Sequence, residues 1–113
     1  MDITEALENF SKRVRMYTSK EMTAISDDIR NLEKTLQEWK IDTYFSFELG
    51  GEEYLFWNED PQSKSENFRL WYTNPDYEDG KCIKLIECKF KIRARIHRLL
   101  PQFLEEFSEM IAP

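Results

Sequence analysis

The period of the apolar residues changes twice along the chain, and those changes set the order of its elements. Up to residue 40 they recur in steps of three and four: Ile3, Leu7, Phe10, Val14 and Tyr17, then Met22, Ile25, Ile29, Leu32, Leu36 and Trp39. From Ile41 the period is two, and aromatic and β-branched residues replace the helix formers. From about Lys89 the helical spacing returns, through Ile92, Ile96, Leu99, Phe103 and Phe107 to Ile111. The fold class this predicts is α+β: a long N-terminal helix, an antiparallel four-stranded β-meander and a kinked C-terminal helix. A chain of 113 residues has room for one domain, with helix over 1–40, sheet over 43–87 and helix over 89–111.

No Gly or Pro interrupts the first forty residues. Asp2 followed by Glu5 three residues on reads as an acidic capping box and a helix start. Val14 to Ile25 is an eleven-residue step, the stutter that keeps a stripe on one side, so one continuous helix over 3–40 is expected. The rival reading is a break at Thr18, because Thr18-Ser19-Lys20-Glu21 is itself a capping box. A continuous helix would span about 55 Å. A domain of this length has a radius of gyration of about 13 Å, so the helix would overhang it. The simplest cover for an overhanging apolar stripe is the same helix of a second copy. That predicts a homodimer joined through Ile25, Ile29, Leu32 and Leu36.

In the middle segment, residues 43–49 place Phe45, Phe47 and Leu49 on one strand face, Gly50-Gly51 makes a two-residue hairpin turn, and residues 52–57 return. A polar loop over 58–67 leads to a third strand over 68–73. Asn74-Pro75-Asp76 and Asp79-Gly80 mark turns before a fourth strand over 81–87. Connections this short exclude crossover helices, so one sheet face takes helices and the other meets water or a partner. Pro101 inside the last helical pattern predicts a kink or restart near Leu100.

The charge is distributed in blocks. Residues 41–80 carry ten acids and two bases, net −8, and residues 81–98 carry seven bases and one acid, net +6, within a chain of net −6. On a helix Lys91, Arg95 and Arg98 share one face, with Lys89 and Arg93 beside them. Such a basic stripe suits phosphates, an acidic protein or the acidic sheet of its own chain. The acidic balance of the whole argues against a nucleic-acid domain. No apolar run is long enough to span a bilayer, and the acidic N-terminus lacks the pattern of a secretory signal, so the expected location is cytoplasmic.

Catalytic signals are sparse. His97, the one histidine, has basic and aliphatic sequence neighbours and no triad partner. Cys82 and Cys88 lie six apart, outside the paired spacing of zinc sites, and read as two buried free thiols. Glu48, Glu52, Glu53, Glu59, Asp60, Asp76, Glu78 and Asp79 cluster near turns and read as a solvated acidic rim. No metal, no cofactor and no enzyme are expected. Ten of the sixteen aromatic residues fall in or beside the sheet, more than one buried face holds. Tyr44, Tyr54, Trp57, Trp71 and Tyr72 are therefore the expected partner-binding surface. The function predicted is a small non-enzymatic protein–protein interaction module: an adaptor, inhibitor or chaperone-like binder. Its acidic surface could also mimic nucleic acid. The alternative is a nucleic-acid-binding regulator using Lys89, Lys91, Arg93, Arg95 and Arg98.

Overall fold

Thr18 decides where the first helical region divides. In the computed structural model, which describes residues 1–14, 17–61, 67–77 and 81–113, helix α1 (Ile3–Arg13) ends at an extended Val14 and helix α2 (Ser19–Glu38) begins afresh. The Thr18 hydroxyl accepts the Glu21 N–H, and the Glu21 carboxylate accepts the Thr18 N–H, at 3.1 and 3.2 Å. This reciprocal box satisfies two of the four donors a new helix start leaves unpaired. The continuous helix over 3–40 is thus corrected to two helices, and the rival reading holds.

Strands β1 (Phe45–Gly50), β2 (Glu53–Glu59), β3 (Phe68–Thr73) and β4 (Ile83–Lys84) form an antiparallel sheet in chain order. The first turn sits one residue later than expected. Gly51 and Glu52 are its central pair, both at positive φ, and the register slips between Glu48 and Gly50. Positive φ at both central positions is what a turn matching the strand twist requires. The fourth strand is far shorter than residues 81–87: only Ile83 and Lys84 pair, and Leu85–Glu87 is a 3-10 turn. The turn expected at Asp79-Gly80 lies outside the described residues.

Helix α2 completes the edge that the short β4 leaves open. Glu33 and Gln37 stand one turn apart on α2. The Glu33 carboxylate accepts the Leu70 N–H at 3.0 Å, and the Gln37 amide donates to the Phe68 carbonyl at 2.7 Å. Two side chains thus stand in for the missing ladder at the Leu70 N–H and the Phe68 carbonyl.

The C-terminal pattern restarts where proline predicts. Helix α3 (Phe90–His97) is followed by α4 (Leu100–Ile111), with Pro101 in the first turn of α4, where its missing N–H would have no partner anyway. The core lies between the inner sheet face and these helices. It contains Phe47, Leu55, Trp57, Phe68, Leu70 and Tyr72 from the strands, Ile25, Ile29 and Leu36 from α2, and Phe103 and Phe107 from α4. Phe45 stacks on Phe107 at 4.8 Å, and Phe47 meets Phe103 edge-on at 5.8 Å.

The placement of Ile25, Ile29 and Leu36 overturns their expected role. These side chains are buried within their own chain, with Leu32 packed against the same core, so the stripe is covered without a second copy. Helix α1, by contrast, has no buried residue. The radius of gyration is 16.9 Å and the longest dimension 58 Å, well above the about 13 Å radius of a compact chain this long.

Candidate functional site

Strand alternation sorts the sheet residues into two sets, and the helices cover only one. Arg69 and Thr73, polar at alternate positions of β3, mark its outer face, and Trp71 between them shares it. Cross-strand partners lie on the same face, so Phe56 opposite Trp71 and Tyr54 opposite Thr73 also point outward. Tyr44, just before β1, adds a fourth ring.

These rings touch. Tyr54 stacks on Phe56 at 5.8 Å, and Tyr44 lies 6.2 Å from Phe56 on the other side. The Trp71 indole N–H donates to the Asn58 carbonyl at 3.2 Å, which fixes the ring. Lys84 sits 6.0 Å over the Trp71 ring and 3.3 Å from the buried carboxylate of Asp60. A depression of about 730 Å³ runs between Tyr44, Phe56, Trp71 and Lys84. Glu48, Glu52 and Glu59 are exposed on the strands and turn around the aromatic row.

Trp57 and Tyr72 do not belong to this face, which corrects the expectation. Trp57 is 0% and Tyr72 1% exposed. The Trp57 indole donates to the Ile41 carbonyl at 2.7 Å, the partner a buried indole requires. Tyr72 donates through its hydroxyl to Glu53, and Asn74 donates to the same oxygen. Phe56 takes the place of Trp57 in the outer row. The signal that finds it is the register with Trp71, because β2 reads apolar at Tyr54, Leu55, Phe56 and Trp57 and alternation alone gives no phase there.

The basic stripe is drawn into the fold. Arg95 grips Glu53 with two hydrogen bonds at 2.6 and 2.5 Å. The hydrogen bond from Arg95 holds the Glu53 carboxyl below its ordinary range, and burial together with Glu53 pushes the Tyr72 phenol up. Arg93 donates to the Ser26 hydroxyl at 2.7 Å, and Arg98 donates to the Tyr17 hydroxyl at 2.5 Å. Three of the five cations therefore point at three different parts of the chain. Lys89 and Lys91 are exposed at the start of α3. Pairing with the chain's own acidic sheet, one of the uses expected of this stripe, is met by Arg95 alone; Arg93 and Arg98 bond neutral hydroxyls instead.

The remaining candidates carry little chemistry. His97 pairs with Asp28 at 2.8 Å. Cys88 is buried and its thiol is pushed up to about 11 by desolvation. Cys82 is exposed, against expectation, yet burial of its sulfur still raises its pKa, so neither thiol is activated as a thiolate. The expected solvated rim is corrected at two positions, since Asp60 is buried beside Lys84 and Glu53 is half-buried under Arg95, while Glu78 and Asp79 lie outside the described residues. Among the described residues no group of three His, Cys, Asp or Glu side chains is placed to hold a metal ion. No helix among them is long and apolar enough to cross a membrane. No family model, no curated protein and no solved structure matches the chain.

Proposed function

We propose that this chain is a small non-enzymatic protein–protein interaction module, an adaptor, inhibitor or chaperone-like binder acting in the cytoplasm. One observation supports this reading above others: Tyr44, Phe56 and Tyr54 form a row of touching rings, with Trp71 opposite Phe56 on the next strand, on the sheet face that no helix covers. Trp and Tyr rings carry much of the binding energy where proteins meet, because they bury large area with few rotors to freeze. The Glu48, Glu52 and Glu59 carboxylates around the row select a partner whose rim is basic. The reading includes self-association, since α1 leaves its own apolar stripe uncovered.

The test is affinity capture from nuclease-treated lysate of the source cell, comparing the native chain with a Phe56→Ser, Trp71→Ser double variant. Near-UV circular dichroism first checks that the variant keeps its fold. A stoichiometric protein retained by the native chain and lost from the variant is the expected result. Equal retention by both, or recovery of nucleic acid alone from undigested lysate, contradicts the reading.

A further inference from the structure

Helix α1 lacks the packing that normally holds a helix of its size. At eleven residues it is shorter than the 12–15 or so at which isolated helices become even marginal in water. Its end chemistry is favourable: Asp2 caps the Glu5 N–H at 2.8 Å, and Lys12 and Arg13 stand in its last turn. Yet Ile3, Leu7, Phe10 and Val14 remain 78%, 62%, 54% and 40% exposed along one side.

The spacing of that stripe is a palindrome: four, three, four. We infer that α1 pairs antiparallel with α1 of a second copy about a two-fold axis between Leu7 and Phe10. In that register Ile3 meets the second copy's Val14, and Leu7 meets its Phe10, each contact made twice, as a closed isologous interface requires. Ala6 and Ser11 flank the stripe on either side, and their small side chains let the helices approach closely. Charge agrees with the orientation. At 3.6 residues per turn Asp2 and Arg13 both fall roughly 100° round from the stripe's centre, on the same side. Antiparallel pairing therefore brings Asp2 alongside the second copy's Arg13, and it sets each helix N-terminus beside a C-terminus. A parallel pair would instead set like helix ends level with each other, with Asp2 and Arg13 each on opposite sides of the seam from their copies.

One short helix pair buries an area at the low end for stable complexes, so the dimer is a weak one that dissociates on dilution. The inference deepens the self-association included in the proposed function. It stands apart from the sheet face, so the two fail separately: a native chain that captures its partner but stays monomeric overturns this inference alone, and one that dimerises but captures nothing overturns the sheet-face reading alone.

Sedimentation equilibrium over a dilution series is the experiment, on the native chain and on Leu7→Asp with Phe10→Asp. The native chain is expected to rise reversibly to twice its monomer mass and stop there; the double variant stays monomeric with an unchanged Tm, because these side chains touch no core. Register is read by mixing Ile3→Cys and Val14→Cys chains in a Cys82→Ser background, where the mixed disulfide forms and neither chain alone cross-links. A monomer at every concentration, a dimer that survives the double variant, growth beyond two copies, or cross-linking of Ile3→Cys with itself each overturns the inference.

Discussion

Helices α1 and α2 carry the same kind of apolar stripe and meet opposite surroundings. Ile25, Ile29 and Leu36 of α2 are buried under the sheet and the C-terminal helices, whereas Ile3, Leu7 and Phe10 of α1 face outward. What separates them is the polar chemistry beside the stripe. Glu33 and Gln37 fit the open backbone edge of β3, and this ties α2 to its own sheet. The charges of α1, Asp2 at its start and Arg13 at its end, match instead those of an antiparallel second copy. A period of 3.6 shows that a face is meant to be covered, and the polar residues at its margin show by what.

The sharpest way to break the comparison is to truncate one stripe residue in each helix. Ile29→Ala is expected to lose about 2–5 kcal/mol of unfolding free energy through the cavity it leaves. Leu7→Ala, in a dilute sample, should stay within about 0.5 kcal/mol of the native chain. Urea unfolding measures both, and equal losses would show α1 packed on the body.

Glu33→Leu comes next. It leaves the Leu70 N–H without its carboxylate and Arg69 without its 2.8 Å ion pair, which is expected to cost about 1–3 kcal/mol in the same assay. A neutral result would mean that the α2 margin does not anchor the helix.

Thr18→Ala removes the capping box that divides the two helices and should cost about 1 kcal/mol, with faster amide exchange confined to the first turn of α2. If α1 and α2 instead fuse, helicity by circular dichroism rises.

The smallest effect is a pH dependence from the sheet-to-α3 contact. Arg95 lowers the folded-state pKa of Glu53, so the pair's stabilisation is complete above the unfolded carboxyl value of about 4.3 and is lost as pH falls through the lowered folded value. The stability gap between the native chain and Glu53→Gln should be constant near neutrality and shrink only in acid. A gap that closes near pH 6 would contradict the assignment.

The fold was legible where one residue type had one use. Pro101 required a kink or a restart near Leu100, and the helix restarts there; the two period changes gave the α+β order. Two choices were open because both physical readings were sound: the eleven-residue stutter and the Thr18 box are both valid patterns, and the local hydrogen bonds of the box prevail. The outer face was half legible. Tyr44, Tyr54 and Trp71 lie where the excess of aromatics over one buried face places them. Trp71 and Tyr72, as adjacent strand residues, could not both point outward, and Arg69 and Thr73 already marked which one does. Phe56 needed the pairing of β2 with β3, which alternation in β2 does not supply. The short β4 and its replacement by Glu33 and Gln37 had no sequence signal, since a buried Glu on a helix reads as a solvated one until its partner strand is placed.

The contrast between α1 and α2 is tested most directly by amide hydrogen exchange at two protein concentrations, one well below and one well above the sedimentation midpoint. The account predicts that α2 amides are protected equally in both, while α1 amides exchange freely when dilute and slow markedly when concentrated. Protection of α1 equal to that of α2 in the dilute sample, or no change in α1 on concentration, would contradict it.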